Sequence, residues 1–142
     1  MAHFYISASN VENRLLNEWI KYGKLIIAYD FDNTVYDYHN EGHTYTQVIE
    51  LLRRCKALGA HLIVFTASEP ERYDKIKSYL DKNEVPYDAI NENPDFVPFK
   101  TSKIYYNILL DDRAGLESAY KSLLAVTEKY EETLKQNNSR IQ

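Results

Sequence analysis

Several things are scarce in this chain. It has one cysteine, Cys55, in 142 residues, which excludes a disulfide-stapled framework. No stretch stays apolar for the roughly 18 residues that a membrane span needs, and the basic-then-apolar layout of a secretory signal is missing. A reducing, cytoplasmic setting with no membrane partner is the expectation. Lysine and arginine number 17 against 21 acids, for a net charge of -4. They are scattered and form no stripe, which disfavours a dedicated nucleic-acid-binding surface but leaves a nucleotide or a nucleic-acid end open as substrate. There is no internal repeat and no linker. At 44% hydrophobic and 27% charged, residues 1–142 are expected to form a single domain around one core.

What is present is an alternation of apolar runs and amphipathic stretches. Residues 9–22 read as a helix, with Ser9 or Asn10 as its cap, Val11, Leu15, Leu16, Trp19 and Ile20 on its apolar face, and Gly23 as its stop. Residues 1–23 thereby make a helical extension ahead of the first strand. Strands are predicted at 25–29, 61–65, 86–90 and 104–110, and helices at 44–58, 70–83 and 115–135, with 136–142 a frayed polar tail. Cys55 shares a helical face with Val48, Leu51, Leu52 and Leu58 and reads as a buried small hydrophobe. Ser68 reads as the cap of helix 70–83, with phosphate contact a secondary role. Strands alternating with helices predict right-handed crossovers and a parallel sheet covered on both faces.

Two strand ends carry charge. The run Leu25-Ile26-Ile27-Ala28-Tyr29 ends in Asp30-Phe31-Asp32-Asn33-Thr34, so two carboxylates and a threonine stand where an α/β sheet opens into its ligand crevice. Ile108-Leu109-Leu110 ends in Asp111-Asp112-Arg113. Adjacent acids of this kind are unfavourable without a cation, which argues for Mg²⁺.

The pattern D-x-D-x-T after a hydrophobic strand resembles the first motif of the haloacid dehalogenase-like (HAD) superfamily of aspartate-nucleophile phosphohydrolases. Three further elements follow in that family's order: His61 to Thr66, Lys103, and Ile108 to Arg113. The resemblance spans about residues 24–116. It implies a three-layer, Rossmann-like α/β fold. It implies Asp30 as nucleophile and Mg²⁺ ligand, and Asp32 as the acid and base that touches the metal only through its backbone carbonyl. It implies Thr66 as a phosphoryl-oxygen donor, helped by the amides of Ala67 and Ser68. Lys103, rather than Lys100, would neutralise charge, Asp111 would bind the metal directly and Asp112 through water or by orienting the lysine, and Arg113 would balance charge or touch substrate. Thr34 would fix the bend after the strand. Asn33 stands where glycine is common in the family, a tolerable change because asparagine accepts left-handed backbone. Asp-Asp-Arg is similar to the corresponding motif of small capless HAD phosphatases and of polynucleotide 3′-phosphatase domains.

Each interval between motifs that can hold a cap domain in this family has only about 35 residues, already used by one helix and a strand or loop. A capless, open site is therefore expected, suited to a bulky or terminal phosphate or closed by a partner copy in a homo-oligomer. Tyr36, Tyr38, His39, His43 and Tyr45 crowd the loop after the first motif, where rings can stack on a base or sugar; no third soft ligand joins His39 and His43, which disfavours zinc. A response-regulator receiver uses similar residues in a different order. Hydrolysis of a phosphomonoester on a nucleotide or nucleic-acid end is the leading expectation. A metabolite phosphatase acting as an oligomer and a non-catalytic binding or assembly module are the alternatives.

Overall fold

The computed structural model describes residues 4–141. Short apolar runs form four strands, β1 (Ile26–Tyr29), β2 (His61–Val64), β3 (Ala89–Ile90) and β4 (Ile108–Leu110). They pair in the order β3-β2-β1-β4, and every pairing is parallel. In this register Tyr29 lies opposite Val64 on one side and Leu110 on the other, so Asp30, Phe65 and Asp111 leave the sheet side by side. Four α-helices accompany the strands: α1 (Ala8–Tyr22), α2 (Thr46–Ala57), α3 (Tyr73–Lys82) and α4 (Leu116–Ile141). The fold is α/β, a parallel sheet flanked by helices, as the alternation predicts.

The pleat sends alternate residues to opposite faces, and the two faces are covered differently. Ile27, Tyr29, Leu62, Val64, Ile108 and Leu110 share one core with residues of all four helices, Leu15 and Trp19 of α1, Leu52 and Cys55 of α2, Ile76 of α3 and Val126 of α4 among them. On the other face Ile26, Ala28 and Ile63 pack with Val97 and the partly buried Ile104, Tyr106 and Leu109. Among the described residues no helix contributes to that second core, so the expected third, helical layer is replaced by the segment joining β3 to β4. Pro94 and Pro98 lie within it and cannot donate to a helical ladder. Asparagines pin it instead: Asn93 donates to the Lys103 carbonyl (2.9 Å) and accepts from the Tyr105 amide (2.7 Å), and Asn107 Oδ1 accepts from the Ile26 amide (2.7 Å). These side-chain bonds take the place of ladder bonds, which is why β4 begins at Ile108 and not at 104.

The helix ahead of β1 is part of the core. Trp19 is fully buried and stacks on Tyr130 of α4 with ring centroids 4.3 Å apart and planes 17° apart. Glu18 takes Arg14 Nη1 at 2.7 Å and Asn107 Nδ2 at 2.8 Å, which ties α1 to the start of β4. Three expectations are corrected. Ser9 and Asn10 lie inside α1, which starts at Ala8 with Ser7 in the cap position and no side-chain cap bond. Ile20 points outward, 51% exposed. Residues 136–141 are helical, because Gln136-Asn137-Asn138-Ser139-Arg140 has neither glycine nor proline to stop α4. Gly23, with φ 68°, closes α1 by donating to the Trp19 carbonyl at 2.8 Å, as expected of a left-handed C-cap. Cys55 is a buried free thiol 3.3 Å from Thr127 Oγ1, its pKa pushed by burial up to about 11.

Trp19→Ala is expected to cost about 3–5 kcal/mol in urea unfolding, whereas Ile20→Ala should stay within about 0.5 kcal/mol of the parent. Similar losses for the two would contradict the docking of α1 onto α4.

Candidate functional site

The chain moves from β1 to β2 on one side and returns to β4 on the other, so the connections diverge beside β1 at the carboxyl ends, where an open α/β sheet places its ligand crevice. A cavity of about 930 Å³ opens there. Helices α2 and α3, with a 3₁₀ turn at Pro70–Arg72, are the only helical elements between β1 and β3 among the described residues, in keeping with a site that has no cap.

Asp30, Asp111 and Asp112 each bring a carboxylate oxygen to within 4.8 Å of the others. The strand register creates this meeting: the Asp30 amide donates to the Leu110 carbonyl at 2.9 Å. Thr34, fully buried, ties the two strand ends together, its hydroxyl donating to Asp30 Oδ2 at 3.4 Å and accepting from the Asp112 amide at 3.2 Å. The Arg113 amide donates to Asp111 Oδ1 at 2.8 Å. Burial, the Asp111 charge, and the hydrogen bond and charge of Asp112 push the Asp30 pKa up to about 7, against a small opposing pull from the Phe31 amide. Three oxygen donors whose mutual repulsion is relieved by positive charge make a hard-ligand set, and they can hold a divalent cation.

The turn after β1 follows its sequence. Asn33 has φ 59°, the left-handed backbone that asparagine tolerates, and its amide donates to the Tyr36 carbonyl at 2.7 Å. Asp32 lines the cavity with Asp30, but its carboxylate lies outside the trio that could hold a metal ion. Its carboxylate faces Arg72, Oδ1 and Oδ2 each 3.3 Å from a guanidinium nitrogen.

On the β2 side, Thr66 is held by Asn91, which accepts from the Thr66 amide (2.9 Å) and donates to its carbonyl (2.7 Å). The Thr66 hydroxyl donates to Ser68 Oγ and accepts from the Ser68 amide, both at 3.1 Å. Arg72 Nη1 also donates to Ser68 Oγ, at 2.9 Å. Ser68 is therefore no helix cap, because its hydroxyl is engaged by Thr66 and Arg72. Helix α3 begins at Tyr73, after the 3₁₀ turn that Pro70 opens.

Of the residues expected at the site, Asp30, Asp32, Asn33, Thr66, Ala67, Ser68, Asp111, Asp112, Arg113, Tyr38 and His39 line the cavity. Thr34 sits directly beneath it. Tyr36 does not reach it: its ring stacks on Phe31 (centroids 4.9 Å, planes 14° apart) and meets the edge of Tyr79 at 4.8 Å. Lys103 and Lys100 are exposed and absent from the lining, where the cations are Arg72 and Arg113. Sequence reasoning missed Arg72, Asn91 and Phe65. An asparagine directly after β3 with φ 52° and an arginine beside the second strand end were visible only as turn and helix residues. Phe65 reads as the last residue of a strand, but β2 stops at Val64 and leaves its ring 36% exposed on the cavity wall.

No family model and no curated protein matches this chain. Among solved structures it is similar to a conserved protein from Bacteroides thetaiotaomicron, 24% identical with a TM-score of 0.53 over 63% of this chain and 77% of that one. It is also similar to a Vibrio cholerae protein, 27% identical with a TM-score of 0.40 over 75% of this chain and 98% of that one. The Bacteroides likeness is one of fold.

The raised Asp30 pKa has a thermodynamic sign. In the metal-free protein Asp30 holds its proton to a higher pH than the unfolded chain does. Its contribution to stability is therefore full below the unfolded carboxyl value near ~4 and is lost as pH rises through about 7. With chelator present, Asp30→Asn should match the parent near pH 4 and exceed it by about 1–2 kcal/mol at pH 8, a figure discounted for solvent screening of a half-buried group. Urea unfolding at the two pH values measures this, and equal stability of variant and parent at pH 8 would contradict it.

Proposed function

We propose that this chain is a Mg²⁺-dependent phosphohydrolase of phosphomonoesters that works through an aspartyl-phosphate on Asp30, with a nucleotide or nucleic-acid end as its substrate class. The observation that carries the reading is the meeting of Asp30, Asp111 and Asp112 within 4.8 Å, in the chain order of the HAD motifs that these residues resemble. Phosphoryl transfer asks for a nucleophile in line, an acid for the leaving oxygen, and positive charge around the transferring group.

A divalent cation held by Asp30, Asp111 and Asp112 would supply charge that keeps the three carboxylates ionised together and draws an anionic substrate in. The chain's own groups supply the rest. The Asp30 carboxylate attacks phosphorus, forming the Asp30 oxygen to phosphorus bond as the ester bond breaks, and Asp32 gives its proton to the departing alkoxide. Water then attacks the acyl phosphate, Asp32 takes a proton from it, and inorganic phosphate leaves with Asp30 restored. The Thr66 hydroxyl and the Ser68 amide, bonded to each other's side chains in the free protein, would turn with the Ala67 amide to the phosphoryl oxygens when substrate binds.

The open cavity and its rim favour a substrate with a large leaving group. Tyr38, 52% exposed, and Phe65, 36% exposed, flank the lining with His39, and a ring stacked on a base contributes about 1–3 kcal/mol.

Phosphate release from p-nitrophenyl phosphate, nucleoside 3′- and 5′-monophosphates and 3′-phosphorylated oligonucleotides, with Mg²⁺ and with chelator, tests the proposal. Turnover should need Mg²⁺ and fall by at least roughly 10³-fold in Asp30→Asn with the far-UV spectrum unchanged. Activity retained by Asp30→Asn would overturn the mechanism.

A further inference from the structure

The cavity is lined by six carboxylates, those of Asp30, Asp32, Glu69, Glu71, Asp111 and Asp112, against the two guanidiniums of Arg72 and Arg113, and by no lysine. A phosphomonoester brings about -1.5 to -2 further charges at pH 7. Even with a divalent cation among three of the acids, such a group needs a fixed protein cation on the opposite wall.

We propose that Arg72 is that cation: it holds the phosphoryl oxygens of the substrate and gives up its contacts with Asp32 to do so. This rests on reading the cavity as a phosphomonoester site. Three observations single out Arg72. Its two contacts with Asp32 are both 3.3 Å, well beyond the roughly 2.7–2.9 Å of a strong charge-assisted bond. The pair is loose and can be exchanged for a dianion. Its Nη1 is anchored at 2.9 Å on Ser68 Oγ, which also accepts from the Thr66 hydroxyl, so Thr66, Ser68 and Arg72 are joined in one hydrogen-bonded row. The guanidinium also lies 5.9 Å from the Phe31 ring and 6.0 Å from the Tyr38 ring, and these rings limit where it can swing. The backbone beneath it is set by the Pro70 turn, with the Arg72 amide donating to the Glu69 carbonyl at 2.9 Å. Arg113 has no comparable setting. It is exposed, and its amide serves Asp111.

The test measures binding of inorganic phosphate, the product, by calorimetry in Mg²⁺, so it needs no turnover. Relative to the parent, Arg72→Ala should weaken phosphate binding at least 10-fold and Arg72→Lys should recover part of the loss, whereas Lys121→Ala, at a residue outside the cavity lining, should leave it unchanged. Asp32→Asn, which frees Arg72 from its present partner, should tighten binding, and by less when combined with Arg72→Ala. With p-nitrophenyl phosphate the Arg72→Ala defect should be larger in KM than in kcat, and added guanidinium should restore part of it. Unchanged phosphate affinity in a folded Arg72→Ala protein, or in Arg72→Lys and Arg72→Gln should the alanine variant not fold, would overturn the role of Arg72 while leaving the phosphatase reading standing. A parent protein that binds no phosphate and hydrolyses no ester would overturn both.

Discussion

Like charges are brought together here by the register of two parallel strands. β1 and β4 are paired so that Tyr29 lies opposite Leu110, and the next residue of each strand is an aspartate. The Asp30 amide donates to the Leu110 carbonyl, so the backbones of the two strand ends are held side by side. The register therefore keeps the two aspartates neighbours. The carboxylates' mutual repulsion, which comes after burial in raising the Asp30 pKa, is relieved by protonation or by a cation. A carboxylate cluster gathered by strand register at the mouth of a cavity can hold a positive ligand.

The rest of the structure keeps that register in place. Thr34 reaches from the turn after β1 to the Asp112 amide, so a single buried hydroxyl joins the two charged strand ends. Behind the sheet, four helices share one core, and the stack of Trp19 on Tyr130 clamps the first helix to the last. The opposite face is protected more lightly, by an extended segment that asparagine side chains hold down. A buried parallel sheet is ordinarily covered by helices on both faces; here one cover is irregular chain, and the aromatic Phe65 and Tyr106 lie 6.3 Å apart at its margin.

Much of this was legible in the sequence because the signals were local. Four apolar runs marked the strands, and acids directly after two of them marked the cavity. The left-handed backbone at Asn33 and the burial of Cys55 followed from residue type and helical spacing. What escaped was whatever depends on contacts far apart in the chain. Arg72 meets Asp32 across 40 residues and Asn91 meets Thr66 across 25, so the sequence beside either residue does not announce its role. Tyr36 sits among site residues in sequence but turns into the Phe31 and Tyr79 cluster, a contact with α3 that its neighbours in sequence do not reveal. Lys103 satisfied the expected spacing, yet its segment is held by Asn93 at the backbone and its side chain is left in solvent. The helical length of 136–141 was misjudged because polarity is a weak helix stop without glycine or proline.

The most direct test of the central claim is the melting temperature of the chelated protein as Mg²⁺ is titrated in, for the parent and for Asp111→Asn. A cation that binds only the folded trio stabilises it by mass action, and at roughly a hundred times the dissociation constant the parent should melt about 5–10 °C higher. Asp111→Asn, which lacks one of the three charges, should melt at nearly the same temperature with and without the ion. No shift in the parent, or an equal shift in both proteins, would contradict the claim that these three aspartates form a cation site.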